Sequence, residues 1–421
     1  MKTYEVKIGR GSQSWQSPYD YTVPQPKARE RFGESASIEE ALDNPIGSPS
    51  LEVMMKGAES LLIAVPDITR GWYKIPPMAE AVRRRVASVC PKAKVTWIVA
   101  TGQHRAVTDQ DLPMIFGGAV MPGDEVLCHD CTNSVSLNCS TPSGTPVAMD
   151  PAFAAAEHVV LIGGISFHDM AGFSGGRKMV MPGLSDRQSI IVNHNHCLTD
   201  SGLNPATDSG LIDHNPMAQD QRAYTELAIR GKKVFILNTV IDGVGEPAAW
   251  VAGDIFAAWE AGCRASASMA SLWIPEKAAR TVVSCGGFPL DLDLYQATKA
   301  MFAPLSAMKP GAPVVLVADL EDSLGPGDYG DMLRKALKDP QSVLEEMKRG
   351  FTVPGYLALR TVLEVTDHPA ALVTNRQDVP FPGRVFRTVA EADAWLQEIS
   401  GREGLSMLIP SGNAIHVFTE R

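Results

Sequence analysis

The sequence predicts an α/β protein of two domains, each built on a mostly parallel sheet, with a cofactor cleft between them. Three observations carry that reading. The chain has 421 residues, beyond the ~250–300 residues at which a single core stops growing. Short continuous apolar runs, each ending in glycine or a polar loop, alternate with helical patterns; strands buried on both faces read this way. The balance of 45% apolar to 20% charged residues is that of a globular chain.

The elements follow in order. LLIAV at 61–65 predicts a strand running into Asp67-Ile68-Thr69-Arg70. Residues 78–89 have the spacing of an amphipathic helix. VTWIVA at 95–100 ends in Thr101-Gly102-Gln103-His104-Arg105, and HVVLIGG at 158–164 ends in Ile165-Ser166-Phe167-His168. KVFILNTVI at 233–241 is another strand. These form a first α/β domain over 1–272. A second set starts with a strand and glycine turn at 281–287, then a helix carrying Tyr295, Gln296 and Lys299. Strands at 312–320 and 370–375 and helices at 331–339 and 389–400 complete a second α/β domain over 273–403. Residues 405–418 read as a hairpin, so the tail 404–421 is expected to return to the first domain.

Composition excludes several classes. A net charge of −10 argues against a nucleic-acid partner, which needs clustered Lys and Arg. No apolar run reaches the ~20 residues that span a bilayer. The start, MKTYEVKIGRGSQSW, lacks the apolar stretch of a signal peptide. Seven cysteines at irregular spacing predict no disulfide framework, a reducing compartment and a cytoplasmic location. Cys128, His129 and Cys131 resemble half a metal knuckle, but no second pair follows, so they read as partly buried groups in a turn.

Ligands of open α/β sheets bind beyond the carboxyl ends of the strands. His104 and His168 both stand there, and imidazoles can give or take a proton near neutral pH. Two such groups facing one centre from opposite sides suit its inversion. In GGISFHDMAGFSGGRKMVMPG at 163–183, Ser174, Gly175, Gly176 and Arg177 form a candidate phosphate cradle. The loop is neither a Walker A motif nor GxGxxG. Arg70 and Lys299 suit a carboxylate, Arg through a planar fork and Lys as a point charge. Helical spacing puts Tyr295, Thr298 and Lys299 on one face. In Asn193-His194-Asn195-His196 the imidazoles point apart unless the backbone turns, which predicts one metal ligand and not two.

Together, DITR, TGQHR, the stretch from GGISFH to GGRKMVMPG, the NHNH segment and YQATK resemble the nickel-dependent lactate racemase family, in the same order over about 60–305. Lys178 lies ten residues after His168, and His194 sixteen after Lys178, as in that family's pattern. The resemblance implies a nickel pincer nucleotide: a pyridinium-3,5-bisthiocarboxylic acid mononucleotide that holds nickel and is tethered covalently to Lys178. It implies His194 as the protein ligand to nickel, and His104 and His168 as the acid/base pair. Arg70, Gln296 and Lys299 would orient the substrate carboxylate and Tyr295 would line the pocket. Asp67 and the loop Ser174–Arg177 would contact the nucleotide. The implied activity is racemisation or epimerisation of a 2-hydroxy acid by reversible hydride transfer through a 2-keto acid, with cofactor-synthesis enzymes as partners. Gly71-Trp72-Tyr73-Lys74 departs from the family's proline-rich turn, which leaves the substrate side chain open. Three rivals stand beside this reading: a nucleotide-dependent 2-hydroxy acid dehydrogenase, a non-catalytic nucleotide- or hydroxy-acid-binding protein, and a zinc-dependent lyase using His194 and His196.

Overall fold

The computed structural model describes residues 1–420. The chain forms two compact units. A central unit comprises Arg29–Cys197 and Pro205–Met269, and a terminal unit comprises Met1–Ala28, Leu198–Asn204 and the chain from Ala270 onward.

The central unit holds a six-stranded sheet. Its strands are β1 (Ser60–Pro66), β2 (Lys94–Ala100), β3 (Glu125–Cys128), β4 (His158–Ile165), β5 (Lys233–Ile241) and β6 (Pro247–Gly253). Their spatial order is β6-β5-β4-β1-β2-β3. All neighbours are parallel except the edge pair β5 and β6. In β1, Leu62 and Ala64 join one apolar cluster while Leu61, Ile63 and Val65 join another. That alternation is the two-residue period of a strand, and it means that both faces of the sheet are covered.

The four longest helices of this unit are α1 (Ile75–Val89), α2 (Arg187–His194), α3 (Pro216–Ala228) and α4 (Ala257–Ala270). Helix α1 opens on Ile75-Pro76-Pro77, where a missing N–H matters least. Helix α3 starts at Pro216 behind Asn215, whose side chain accepts from Ala218 N.

The terminal unit has its own sheet of β7 (Arg280–Ser284), β8 (Val314–Val317), β9 (Ala370–Val373), β10 (Arg384–Phe386), β11 (Ser406–Ile409) and the short strand Tyr21–Thr22. The order is β10-β9-β8-β7-β11, then Tyr21–Thr22, and every pairing is parallel. Helix α5 (Leu294–Phe302) follows β7. Strand β7 stops before the expected 287 because Gly286 and Gly287 take positive φ and turn the chain away.

The observed division differs from the expected one at both ends of the chain. The tail is not a hairpin. Its strand β11 adds in parallel to β7, and His416–Thr419 pairs in parallel with Ser271–Ile274, so both stay in the terminal unit. The first 28 residues also belong there. Val6, Ile8, Trp15, Tyr19 and Tyr21 share a core cluster with Val282, Val315 and Val373. Asp291 accepts from Gly9 N at 2.6 Å, and Asp393 accepts from Ser17 and Tyr21 hydroxyls at 2.9 and 2.8 Å.

Candidate active site

The central sheet runs from β1 outward through β2 to β3, then returns to the other side of β1 as β4. A crevice opens beyond the carboxyl ends of the strands at such a reversal. Asp67–Arg70 leaves β1, Thr101–His104 leaves β2, and Ser166–His168 leaves β4. Sheet topology thus brings three of the four polar segments expected at strand ends to one edge of one sheet.

Asp67 caps the short 3-10 turn Ile68–Tyr73, accepting from Thr69 N at 2.9 Å. Its other oxygen lies 2.6 Å from His104 Nδ1. The carboxylate is 5% exposed and the imidazole 43%, so a buried anion holds a solvent-reaching ring. Burial alone would raise the Asp67 carboxyl, but His104, Thr69 and Arg70 together hold it below its usual range. A carboxylate can only accept from Nδ1–H, so Nε2 is the ring nitrogen that offers a lone pair. Sequence reasoning had Asp67 only as a nucleotide contact; its position at the end of the strand beside that of His104 was the signal for this pairing.

His168 sits in a two-residue hairpin with Gly172. Its Nδ1 accepts from Met170 N at 3.2 Å and Ala171 N at 3.3 Å, and Asp169 Oδ1 lies 3.3 Å from the same nitrogen. Its Nε2 is 2.7 Å from Lys178 Nζ. One proton lies between Nε2 and Nζ, given by whichever of the two nitrogens carries it. Burial first, then the charge of Arg70, lowers the Lys178 amine to about 7.

The loop that delivers Lys178 is turned inward. Ser174 Oγ receives Ser166 N and Tyr73 OH, both at 2.9 Å, and gives its own proton to Gly164 O. Gly176 N goes to Asn238 Oδ1 at 2.8 Å. Gly175 and Gly176 have φ of 73° and 50°, and a Cβ on Gly176 would strike the Trp259 ring. Ser174, Gly175 and Gly176 therefore hold the backbone in place; their expected role as an open cradle does not match this geometry. Arg177 differs. It is 1% exposed and stacks 4.0 Å from Trp259, and its Nε and Nη1 have no hydrogen-bond partner among the described residues. Burial lowers it to about 10.

His194 ends α2 and is buried, with Nδ1–H donating to Ile190 O at 2.8 Å. Burial, then the charge of Lys178, lowers its imidazole to about 3, so the ring is neutral and Nε2 carries the lone pair. His196 turns elsewhere, to 3.6 Å from Asp220. Asp220 also accepts from Thr145 at 2.7 Å and from Asn193 at 2.8 Å. His129 is spoken for as well: Asp150 holds Nδ1 at 3.0 Å and Ser185 O holds Nε2 at 3.1 Å.

Of the two aromatics after Arg70, Tyr73 is buried beneath Gly164 with its hydroxyl on Ser174. Trp72 remains 38% exposed. Arg70 Nη1 rests on Thr69 Oγ1 at 3.0 Å. In the terminal unit, Asp293 caps α5 and three of its residues interact. Lys299 Nζ lies 2.9 Å from Gln296 Oε1 and 4.5 Å above the Tyr295 ring.

Fold and site define an α/β protein whose strand-end imidazoles share one sheet edge with a lysine whose amine is lowered to about 7. Sequence models described as the lactate racemase N-terminal and C-terminal domains match residues 9–204 and 274–354. A curated lactate racemase from Lactiplantibacillus plantarum is 32% identical over 92% of this chain and 92% of its own length. One from Thermoanaerobacterium thermosaccharolyticum is 29% identical over 92% and 91%. The solved lactate racemase apoprotein from the latter organism superposes with a TM-score of 0.86 at 25% identity, covering 99% of this chain and 100% of that one. The chain belongs to the lactate racemase family and is an isomerase.

Proposed function

We propose that this protein racemises a short 2-hydroxy acid, with lactate the first candidate, using a nickel pincer nucleotide. The contact between Lys178 and His168 carries the reading, because it sets an amine beside an acid/base group. The residues present fit the cofactor. Lys178 offers a nucleophilic nitrogen for the tether. His194 offers a lone pair at Nε2 while its Nδ1–H is anchored, the usual arrangement of a ligating imidazole. No group of three or more His, Cys, Asp or Glu converges on a metal position among the described residues, and His194 would hold the cofactor's metal as a single protein ligand. Arg177 has two buried donors with capacity for an anionic group.

When bound, the cofactor would supply a reversible hydride acceptor for the substrate Cα. The chain's own groups do the rest. His104, held by Asp67, takes the hydroxyl proton from one enantiomer and returns it when the other is consumed. His168 does the same from the opposite face. Arg70 binds the substrate carboxylate, and in the terminal unit we assign Gln296 and Lys299 to carboxylate binding and Tyr295 to lining the substrate pocket. The 2-keto acid formed midway is planar and can be reduced on either face. Lactate is favoured because Tyr73 is committed to the core, leaving Trp72 as the aromatic with exposed surface beside Arg70. The free cysteines suit a cytoplasmic enzyme that receives its cofactor from synthesis enzymes there.

The test is nickel content and intact mass after co-expression with those enzymes, followed by single turnovers with each pure enantiomer. His104→Ala and His168→Ala should each block net racemisation. Each should still form 2-keto acid from one enantiomer, and the two variants should prefer opposite ones. Loss of a positioned base lowers the affected half-reaction by about 10²–10⁴-fold. Equal losses with both enantiomers would refute the face-by-face assignment.

A further inference from the structure

An amine 2.7 Å from an imidazole is also equipped for carbonyl chemistry. Lys178 is half-buried as a whole residue. Arg70 is near enough for its charge to act on that nitrogen. The neighbouring Asp169 lies 3.3 Å from His168 Nδ1, so the ring gains a partner whenever it picks up a second proton.

We propose that the chain without its cofactor captures small 2-oxo acids as an imine on Lys178, with His168 carrying protons and Arg70 holding the carboxylate. The Nζ lone pair forms an N–C bond to the carbonyl carbon, and the carbonyl π pair passes to oxygen, which takes up a proton from solvent, so that the product is the protonated imine. His168 accepts a proton from the added nitrogen and delivers one to the new hydroxyl. That hydroxyl leaves as water with the C–O electron pair, while the nitrogen lone pair closes C=N. One water is released and nothing is oxidised or reduced.

On the tether reading above, imine and cofactor compete for one nitrogen, so 2-oxo acid slows cofactor loading. A keto acid of the class the loaded enzyme generates would then oppose activation of the free chain.

The experiment incubates cofactor-free, full-length protein with pyruvate or glyoxylate and sodium cyanoborohydride, which reduces the imine to a stable amine. Intact mass and peptide mapping are followed over time. The expected result is one rapid adduct on the peptide holding Lys178, absent from Lys178→Arg and Lys178→Met, with circular dichroism checking that both variants fold. His168→Ala should react on the order of 10²-fold more slowly. Acetone, which has no carboxylate, should react more slowly than pyruvate. Labelling of Lys178 no faster than surface lysines, or equal labelling of the Lys178 variants, overturns the proposal. Wild-type rates in His168→Ala, or with acetone, overturn the parts given to His168 and Arg70. Cofactor-loaded protein should resist labelling. If it is labelled as readily, the tether reading falls while the imine stands.

Discussion

At the scale of single residues, the site depends on where protons are held. Asp67 accepts from His104, so Asp67→Asn would keep the size of the side chain but lose the carboxylate that orients the ring. The expected outcome is a fall in kcat on the order of 10²-fold or more with a smaller change in KM. Steady-state kinetics in both directions checks it; an unchanged kcat would leave Asp67 with capping alone. Lys178 carries a stability term of definite sign. Its amine titrates near 7 in the folded chain and near ~10.4 when unfolded. Between those values the unfolded chain binds the extra proton, so stability rises with pH across the window and is poorest below it. Lys178→Met should therefore stabilise the cofactor-free protein at about pH 6, on the order of 2 kcal/mol after allowing for partial exposure, and less at about pH 9. Urea midpoints at both pH values measure this, and a pH-independent difference would contradict it.

At the scale of elements, the strand end and the lysine loop are locked by shape. Gly164, near the end of β4, lies against the face of the Tyr73 ring, and the Tyr73 hydroxyl reaches Ser174. Gly164→Ala should push the ring away and destabilise by about 1–3 kcal/mol, the usual penalty of overpacking. Tyr73→Phe keeps the ring and loses one buried hydrogen bond, about 0.5–1.5 kcal/mol. Chemical denaturation ranks the two. A neutral Gly164→Ala would mean that the turn yields easily. Helix α2 is fixed through its last turn. Asn193 is tied to Asp220, whose carboxyl is held at about 2 because burial is outweighed by His196, Asn193, Thr141 and Thr145. That anchoring keeps His194 on the inner side of the turn.

At the scale of the whole molecule, the first 28 residues complete a core made by the last 150. Val6, Ile8, Trp15, Tyr19 and Tyr21 are all buried in it. At about 1.5–3 kcal/mol each, these five rival the about 5–15 kcal/mol that holds a typical domain folded. Deleting residues 1–28 should abolish hydrogen-exchange protection in β7, β8, β9 and β11. Retained protection there would show that the segment only decorates the terminal unit.

The sequence by itself determined the class of fold, most of the buried strands, and the residue types at their carboxyl ends. It did so because a strand covered on both faces must be apolar throughout. Runs such as 61–65, 95–100 and 233–241 sit within β1, β2 and β5, displaced by no more than one residue at either end. Strand β3 and the antiparallel edge strand β6 were not legible, since short or half-covered strands lack that unbroken apolar signature. Tertiary structure alone decided the pairings: Asp67 with His104, Lys178 with His168, His196 with Asp220, and the N-terminal segment with the terminal unit. It also turned Ser174, Gly175 and Gly176 from an open cradle into a packed support. Each of these joins residues far apart in the chain or depends on which way a glycine turn faces. Hydrophobic periodicity reports which side chains are buried, but partners are chosen by strand order and by the close approach of backbones, and those exist only once the sheet has formed.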